Sequence, residues 1–177
     1  MPRGNRWISA ALAAIWFACL AGATVEAASV TRGPYLQMGT SSSVAVRWRT
    51  DAATDSRVSY GTTLGSLSSF VDDPAVKTEH EITLPGLSPG TVYYYAIGTT
   101  TQTLAGNDAN HFFLTSPTPG TPRSTRIWVL GDSGTANDSA RAVRDAYYAF
   151  TGTRHTDLWL MLGDNAYSSG SDSAYQA

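Results

Sequence analysis

The spacing of hydrophobic and polar positions changes along this chain, and the changes divide it into segments. Over residues 29–115 apolar positions recur with period two. Val44, Val46 and Trp48 alternate with Ala45, Arg47 and Arg49, which predicts a strand with one apolar face and one wet face. Further strands are predicted over residues 57–60, 81–84, 91–98 and 111–115. Short strands separated by Gly, Ser, Thr and Pro clusters argue for a β-sandwich.

The run Leu87-Ser88-Pro89-Gly90-Thr91-Val92-Tyr93-Tyr94-Tyr95 adds a local device. A turn followed by a Tyr that can bond back to the turn backbone is the corner of immunoglobulin-like sandwiches, and the segment resembles a fibronectin type III module. These tyrosines are read as core and corner residues rather than as a sugar-binding stripe.

Residues 117–124 form a linker, because Pro117, Pro119 and Pro122 restrict the backbone and remove donors. Beyond it the period changes. Residues 126–130 make a short apolar strand; Ala140, Val143, Tyr147 and Phe150 recur at helical spacing; residues 157–162 make a second apolar strand. Asn137, Asp138 or Ser139 caps the helix start and Gly152 ends it. Strand, helix and strand, with both strands apolar throughout, predict a right-handed βαβ unit whose parallel sheet is covered on both faces. Of the two tyrosines in the helix, Tyr147 and Tyr148, one is expected in the core and one partly exposed.

Composition narrows the function classes. The chain has 177 residues, 42% of them apolar and 15% charged, which is a globular balance. Arg3 and Arg6 precede an uncharged run from Trp7 to Leu20, followed by small residues about Ala27 and Ala28, which predicts a signal peptide over residues 1–28. That run of 14 residues spans about 21 Å as a helix, short of the roughly 30 Å hydrocarbon core, so no stable membrane span is expected after cleavage. The sole cysteine, Cys19, lies inside the leader, so the exported chain must be stabilised by buried apolar area without disulfides. Without Arg3, Arg6 and Glu26 the chain keeps 10 basic and 13 acidic side chains, a formal charge of −3, with no basic run; nucleic acid is not an expected partner.

The candidate chemistry sits where each βαβ strand ends. Gly131-Asp132 follows the first and Gly163-Asp164 the second. In a parallel unit both carboxylates reach the C-terminal edge of one sheet, where open α/β folds place ligands. Neighbouring strands lie about 4.8 Å apart, so the two side chains can reach one ion, or two ions roughly 3.5–4 Å apart. Two such carboxylates repel unless a cation sits between them, and a hard metal site accounts for the pair.

Gly131-Asp132-Ser133-Gly134 and Gly163-Asp164-Asn165-Ala166-Tyr167 together resemble the first two motifs of the purple acid phosphatases, within the calcineurin-like metallophosphoesterases. Most of that superfamily places a His two residues after the first Asp; the purple subgroup lacks it and uses the Tyr of the second motif. Here Gly134 and Tyr167 occupy those positions. The first half carries matching features in Gly33-Pro34-Tyr35, in residues 46–50, in Ser56-Arg57-Val58-Ser59-Tyr60-Gly61 and in the Leu87 to Tyr93 corner. The resemblance implies a two-domain protein: a fibronectin III-like sandwich over residues 29–116, the linker over 117–124, and a truncated α/β metallophosphoesterase domain over 125–177.

It also implies a role for each residue. Asp132 would bind the first metal, Asp164 would bridge both, and Tyr167 would bind the first as tyrosinate. A phenol of ordinary pKa about 10 ionised near neutrality favours a ferric first ion, with Fe, Zn or Mn as the second. Small phosphomonoesters would be hydrolysed by metal-bound hydroxide outside the cytoplasm, in an extracellular or periplasmic setting. The family's later ligand motifs, Gly-Asn-His-Glu/Asp, a lone His and Gly-His-x-His, do not occur here, so the chain is expected to be an inactive fragment of such an acid phosphatase. His80, His111 and His155 are read as structural or solvated residues.

Two other readings stay open. The sandwich could be a non-enzymatic binding or spacer module. Gly131-Asp132-Ser133-Gly134 could present Ser133 as the nucleophile of a serine hydrolase, which requires a His base.

Overall fold

The computed structural model describes residues 28–175. The expected leader, apart from Ala28, lies outside the described residues. The first six strands are β1 (Val30–Gln37), β2 (Val44–Gly61), β3 (Ser69–Leu84), β4 (Val92–Gly98), β5 (Thr103–Gly106) and β6 (Phe112–Leu114).

Two of these strands are longer than the alternation predicts. Residues 44–49 and 57–60 join into the 18-residue β2, and residues 81–84 are the end of the 16-residue β3. The two pair antiparallel along most of their length, with Trp48 opposite His80 and Val58 opposite Val71. Shifts of register between Arg49 and Ser56 bend the ribbon, as bulges do. Its first half therefore pairs with β1 and its second half with β4, so one continuous ribbon serves both layers of the sandwich. The polar segment Asp51-Ala52-Ala53-Thr54-Asp55 reads as a break but is this bend. Asp72, Asp73 and Pro74 likewise hide the start of β3, because such residues are depleted from strands.

The layers meet in one cluster that includes Val46, Trp48, Val58, Leu84, Tyr95 and Ile97. Burying each aliphatic member contributes roughly 1.5–3 kcal/mol. The tyrosine corner forms: the Ser88 N–H donates to Tyr93 Oη at 3.0 Å. Tyr93 and Tyr95 are core residues, and burial pushes the Tyr95 phenol up to about 12. Ala45, assigned to the wet face, is also buried; this small side chain lies in a central strand between Gln37 and Thr83. Arg47 and Arg49 on that face pair across the ladder with Glu81 at 2.5 Å and Glu79 at 2.8 Å.

His80 is a core residue, 3% exposed and stacked on Trp48 with ring centroids 4.7 Å apart. The Thr50 hydroxyl donates to the Ala52 carbonyl at 2.7 Å, so at 2.8 Å it accepts from His80 Nε2–H. Nδ1 then accepts from the Ser56 hydroxyl at 2.7 Å. The ring is fully satisfied while neutral, and desolvation holds its pKa below the ordinary range.

Residues 115–126 carry neither helix nor strand. They lead into β7 (Ile127–Leu130), α1 (Asp138–Thr151), β8 (Leu158–Met161) and the short α2 (Asp172–Tyr175). β7 and β8 pair parallel, Ile127 opposite Leu158 and Leu130 opposite Met161, as the βαβ pattern predicts. Asn137 is the N-cap, accepting from Ala140 N–H at 3.0 Å, and Gly152 closes the helix through a bond to the Tyr148 carbonyl at 2.9 Å. Tyr147 stacks on Trp128 at 3.9 Å, while Tyr148 is exposed.

The expected coverage of both faces is not found among the described residues. α1 meets the face carrying Trp128 through Tyr147 but leaves Trp159 and Met161 on that face 51% and 44% exposed, and the other face leaves Ile127, Val129, Leu158 and Leu160 between 40% and 52% exposed. Val143 and Phe150 of the helical stripe are exposed as well. A sheet of two strands is too narrow to bury a helix stripe, so α1 covers neither face fully.

Candidate metal centre

The parallel pairing of β7 and β8 brings the two Gly-Asp pairs to one edge. The pairing continues past the strands: Leu162 N–H donates to Leu130 O at 2.8 Å and Asp132 N–H to Gly163 O at 3.2 Å. Asp132 and Asp164 then take the same left-handed backbone conformation, with φ of 57° and 52°. Asp tolerates this region better than most residues, yet holding it costs about 1–3 kcal/mol each, a strain that concentrates at functional sites. Both carboxylates thereby turn off their strand ends toward the same space.

Two further backbone bonds fasten the loops together. Gly134 N–H donates to Asp164 O at 2.9 Å, and Tyr167 N–H donates to Gly134 O at 2.8 Å. Tyr167 is thus held over the carboxylates. Its Oη is hydrogen-bonded to Asp164 Oδ2 at 2.6 Å and also to Asp132 Oδ1. The three residues singled out from the sequence, Asp132, Asp164 and Tyr167, form one cluster of oxygens.

The electrostatics of the cluster follow from its single proton. Hydrogen bonds to Asp132 first and Asp164 second hold the Tyr167 phenol far above its ordinary range, because ionising it would place a third negative oxygen among two. A cation in place of that proton inverts the preference, as bound cations invert local pKa logic. Three convergent hard oxygens, one of them a phenol, fit one highly charged ion. Among the described residues no group of three or more His, Cys, Asp and Glu side chains is placed to hold a metal.

The histidines stand apart from the cluster. His80 is in the sandwich core, His111 bonds Asp108 at 2.9 Å, and the His155 ring lies 5.7 Å from that of Phe112. Among the described residues none of the three hydrogen-bonds Ser133, and a serine nucleophile needs a His base.

Two residues of the quoted motifs take part in ways the sequence does not show. Gly134 supplies both an N–H and a carbonyl to the loop that carries Tyr167, and Asn165 turns its Oδ1 inward without a hydrogen-bond partner. Both belong to a cleft of about 950 Å³ that Asp132, Ser133, Asn137 and Arg141 also line. Both stand inside the two motifs quoted from the sequence, Gly134 as the position without the His, but their contacts follow only from the fold.

Among the comparisons with known proteins, the family match lies in the first half of the chain. The family model for the purple acid phosphatase N-terminal domain matches residues 32–116. No curated protein sequence matches the chain. Among solved structures, PhoD superposes with a TM-score of 0.50 at 15% identity, covering 78% of this chain and 27% of that one. The chain thus spans about a quarter of PhoD, and the likeness is one of fold. The sensor domain of the anti-sigma factor RsgI4 from Pseudobacteroides cellulosolvens gives a TM-score of 0.37 at 13% identity, over 55% of this chain and 95% of that one. A fibronectin type III domain from human KIAA0970 protein gives 0.35 at 14% identity, over 54% and 77%.

Proposed function

Residues 32–116 carry the N-terminal domain of a purple acid phosphatase-like protein, and from that premise we propose that the chain is the opening part of a secreted metal-dependent phosphomonoesterase. In this reading the sandwich is followed by the linker over residues 117–124 and by the first βαβ unit of the catalytic domain. The observation that carries the proposal is the convergence of Asp132, Asp164 and Tyr167 at one sheet edge.

Asp132 and Tyr167 would hold one ion, ferric by the chemistry of a phenolate donor, and Asp164 would share it with a second ion, Fe, Zn or Mn. When bound, such a pair supplies Lewis-acid polarisation of a phosphoryl oxygen and lowers the pKa of water. The chain's own residues do the positioning. The left-handed turns at Asp132 and Asp164 aim both carboxylates at one point, and the backbone bonds through Gly134 keep the Tyr167 phenol against them. Tyr167 Oη holds a proton that must leave when a cation enters, so uptake should release protons. The three residues supply part of a dinuclear donor set, so phosphatase activity is expected of a longer product that adds His ligands and not of this chain alone.

The test is binding of Fe(III) and Zn(II) to the chain by calorimetry. Saturable uptake with proton release in the wild type, lost in Asp132→Asn and Asp164→Asn, supports the reading. Equal uptake by wild type and both variants would refute it.

A further inference from the structure

The loops of the candidate centre fit together only because position 134 has no side chain. A Cβ built on Gly134 would stand 2.6 Å from Asp164 O, 2.5 Å from Asn165 C, and closer still to Ala166 N. All three are backbone atoms, so no rotamer change relieves the contact, and real Cβ atoms essentially never come within 3.0 Å of such neighbours. The same residue is buried and makes the two backbone bonds that join the loops, accepting from Tyr167 N–H and donating to Asp164 O. Gly131, three positions earlier, makes a useful contrast. A Cβ there meets only the Leu162 side chain at 3.5 Å, an ordinary contact, and its backbone is not left-handed.

We infer that Gly134 is the positioning residue of the centre: its missing side chain lets the loop of residues 164–167 close onto the loop of residues 131–134, and this closure places Tyr167 Oη over Asp132 and Asp164. The inference deepens the metal-site reading and rests on it for its functional meaning, but the interlock itself is a statement about two loops. A methyl group at position 134 pushes the loop of residues 164–167 away, breaks the Gly134 to Asp164 and Tyr167 to Gly134 bonds, and separates the phenol from the carboxylates. The close neighbours and backbone bonds of Gly134 all lie in residues 164–167, outside the sandwich.

The experiment compares the chain with Gly134→Ala, Gly131→Ala, Tyr167→Phe and the Gly134→Ala/Tyr167→Phe double variant. Amide hydrogen exchange read by NMR reports the interlock, and calorimetric titration with terbium(III), a hard trivalent probe, reports the donor set. In Gly134→Ala the amides of residues 134 and 167 lose protection while those of Val58 and Ile97 in the sandwich keep theirs. Terbium affinity falls about tenfold or more, the cost typical of removing a support of metal ligands. Gly131→Ala changes neither reading. In the Tyr167→Phe background the alanine adds little further loss, because there is no phenol left to place. Retained protection at residues 134 and 167 in Gly134→Ala overturns the inference, as does uniform loss across the sandwich or a full additional loss in the double variant. If the wild type takes up no terbium, the metal-site reading falls while the exchange measurement still decides the interlock.

Discussion

Tyr167 Oη reaches Asp164 Oδ2 across 2.6 Å, and the same oxygen bonds Asp132, so a single phenolic proton is shared between two carboxylates drawn from different strand ends. Without metal, that proton is what allows the two acids to face one another. The arrangement has a clear pH signature. The folded-state pKa of Tyr167 lies above its unfolded value of about 10, so its contribution to stability is complete below pH 10 and is lost as pH rises through and beyond that value. A near-ultraviolet absorbance titration of the metal-free protein, with Tyr167→Phe subtracted, should show this phenol ionising later than a free tyrosine. Added Fe(III) should reverse the order and ionise it near neutrality. A free-tyrosine titration without metal would remove the shared proton from the picture.

His80 gives an acid counterpart inside the sandwich. Its folded pKa is held below the unfolded value near 6.5, so the neutral ring stabilises the fold above that pH, and the contribution is lost as pH falls through the lowered pKa. His80→Ala leaves a cavity beside Trp48 and orphans the buried Ser56 hydroxyl, and should cost about 2–4 kcal/mol at neutral pH. Chemical denaturation at pH 7.5 and pH 5 measures both effects. The variant should also lose part of the wild type's acid sensitivity.

The tyrosine corner is a smaller, separable term. Tyr93→Phe keeps the ring against Phe113, centroids 5.5 Å apart, and removes only the bond to Ser88 N–H. The expected loss is about 1 kcal/mol, with no change in metal binding. Urea midpoints of the two proteins are the measurement.

Asp172 in α2 pairs with Arg49 at 2.5 Å and Arg32 at 3.5 Å, both on the sandwich, and so ties down the far end of the loop that carries Tyr167. Asp172 is largely exposed, so Asp172→Asn should lower global stability by less than about 1 kcal/mol. Its effect should be local: faster amide exchange across residues 165–171, more so at low salt than at high salt, where screening already weakens the pair. Unchanged exchange there would show that α2 is held by packing instead.

Much of this architecture can be read before any coordinates. Val44, Val46 and Trp48 announce a half-buried strand, the Leu87 to Tyr93 run announces the corner, and Asn137 and Gly152 announce the ends of α1; each is a local preference that the fold keeps. The continuity of β2 and β3 is not legible. Asp51 to Asp55 and Asp72 to Pro74 have the composition of turns, and only pairing with a partner strand makes them a bent ribbon. The exposed apolar positions on both faces of β7 and β8 are also invisible from a pattern that assumes cover on both sides.

By itself the sequence determined that two Gly-Asp pairs end two apolar strands, which puts two carboxylates at one strand edge; Tyr167 entered only through the resemblance to the purple acid phosphatases. The tertiary structure decided that Asp132, Asp164 and Tyr167 share a proton and that Gly134 must be bare. Those facts depend on through-space distances between loops some thirty residues apart, which parallel pairing sets and no local propensity encodes. It also decided that His80 is a neutral core residue, because desolvation and the donors around a ring are properties of the packed interior.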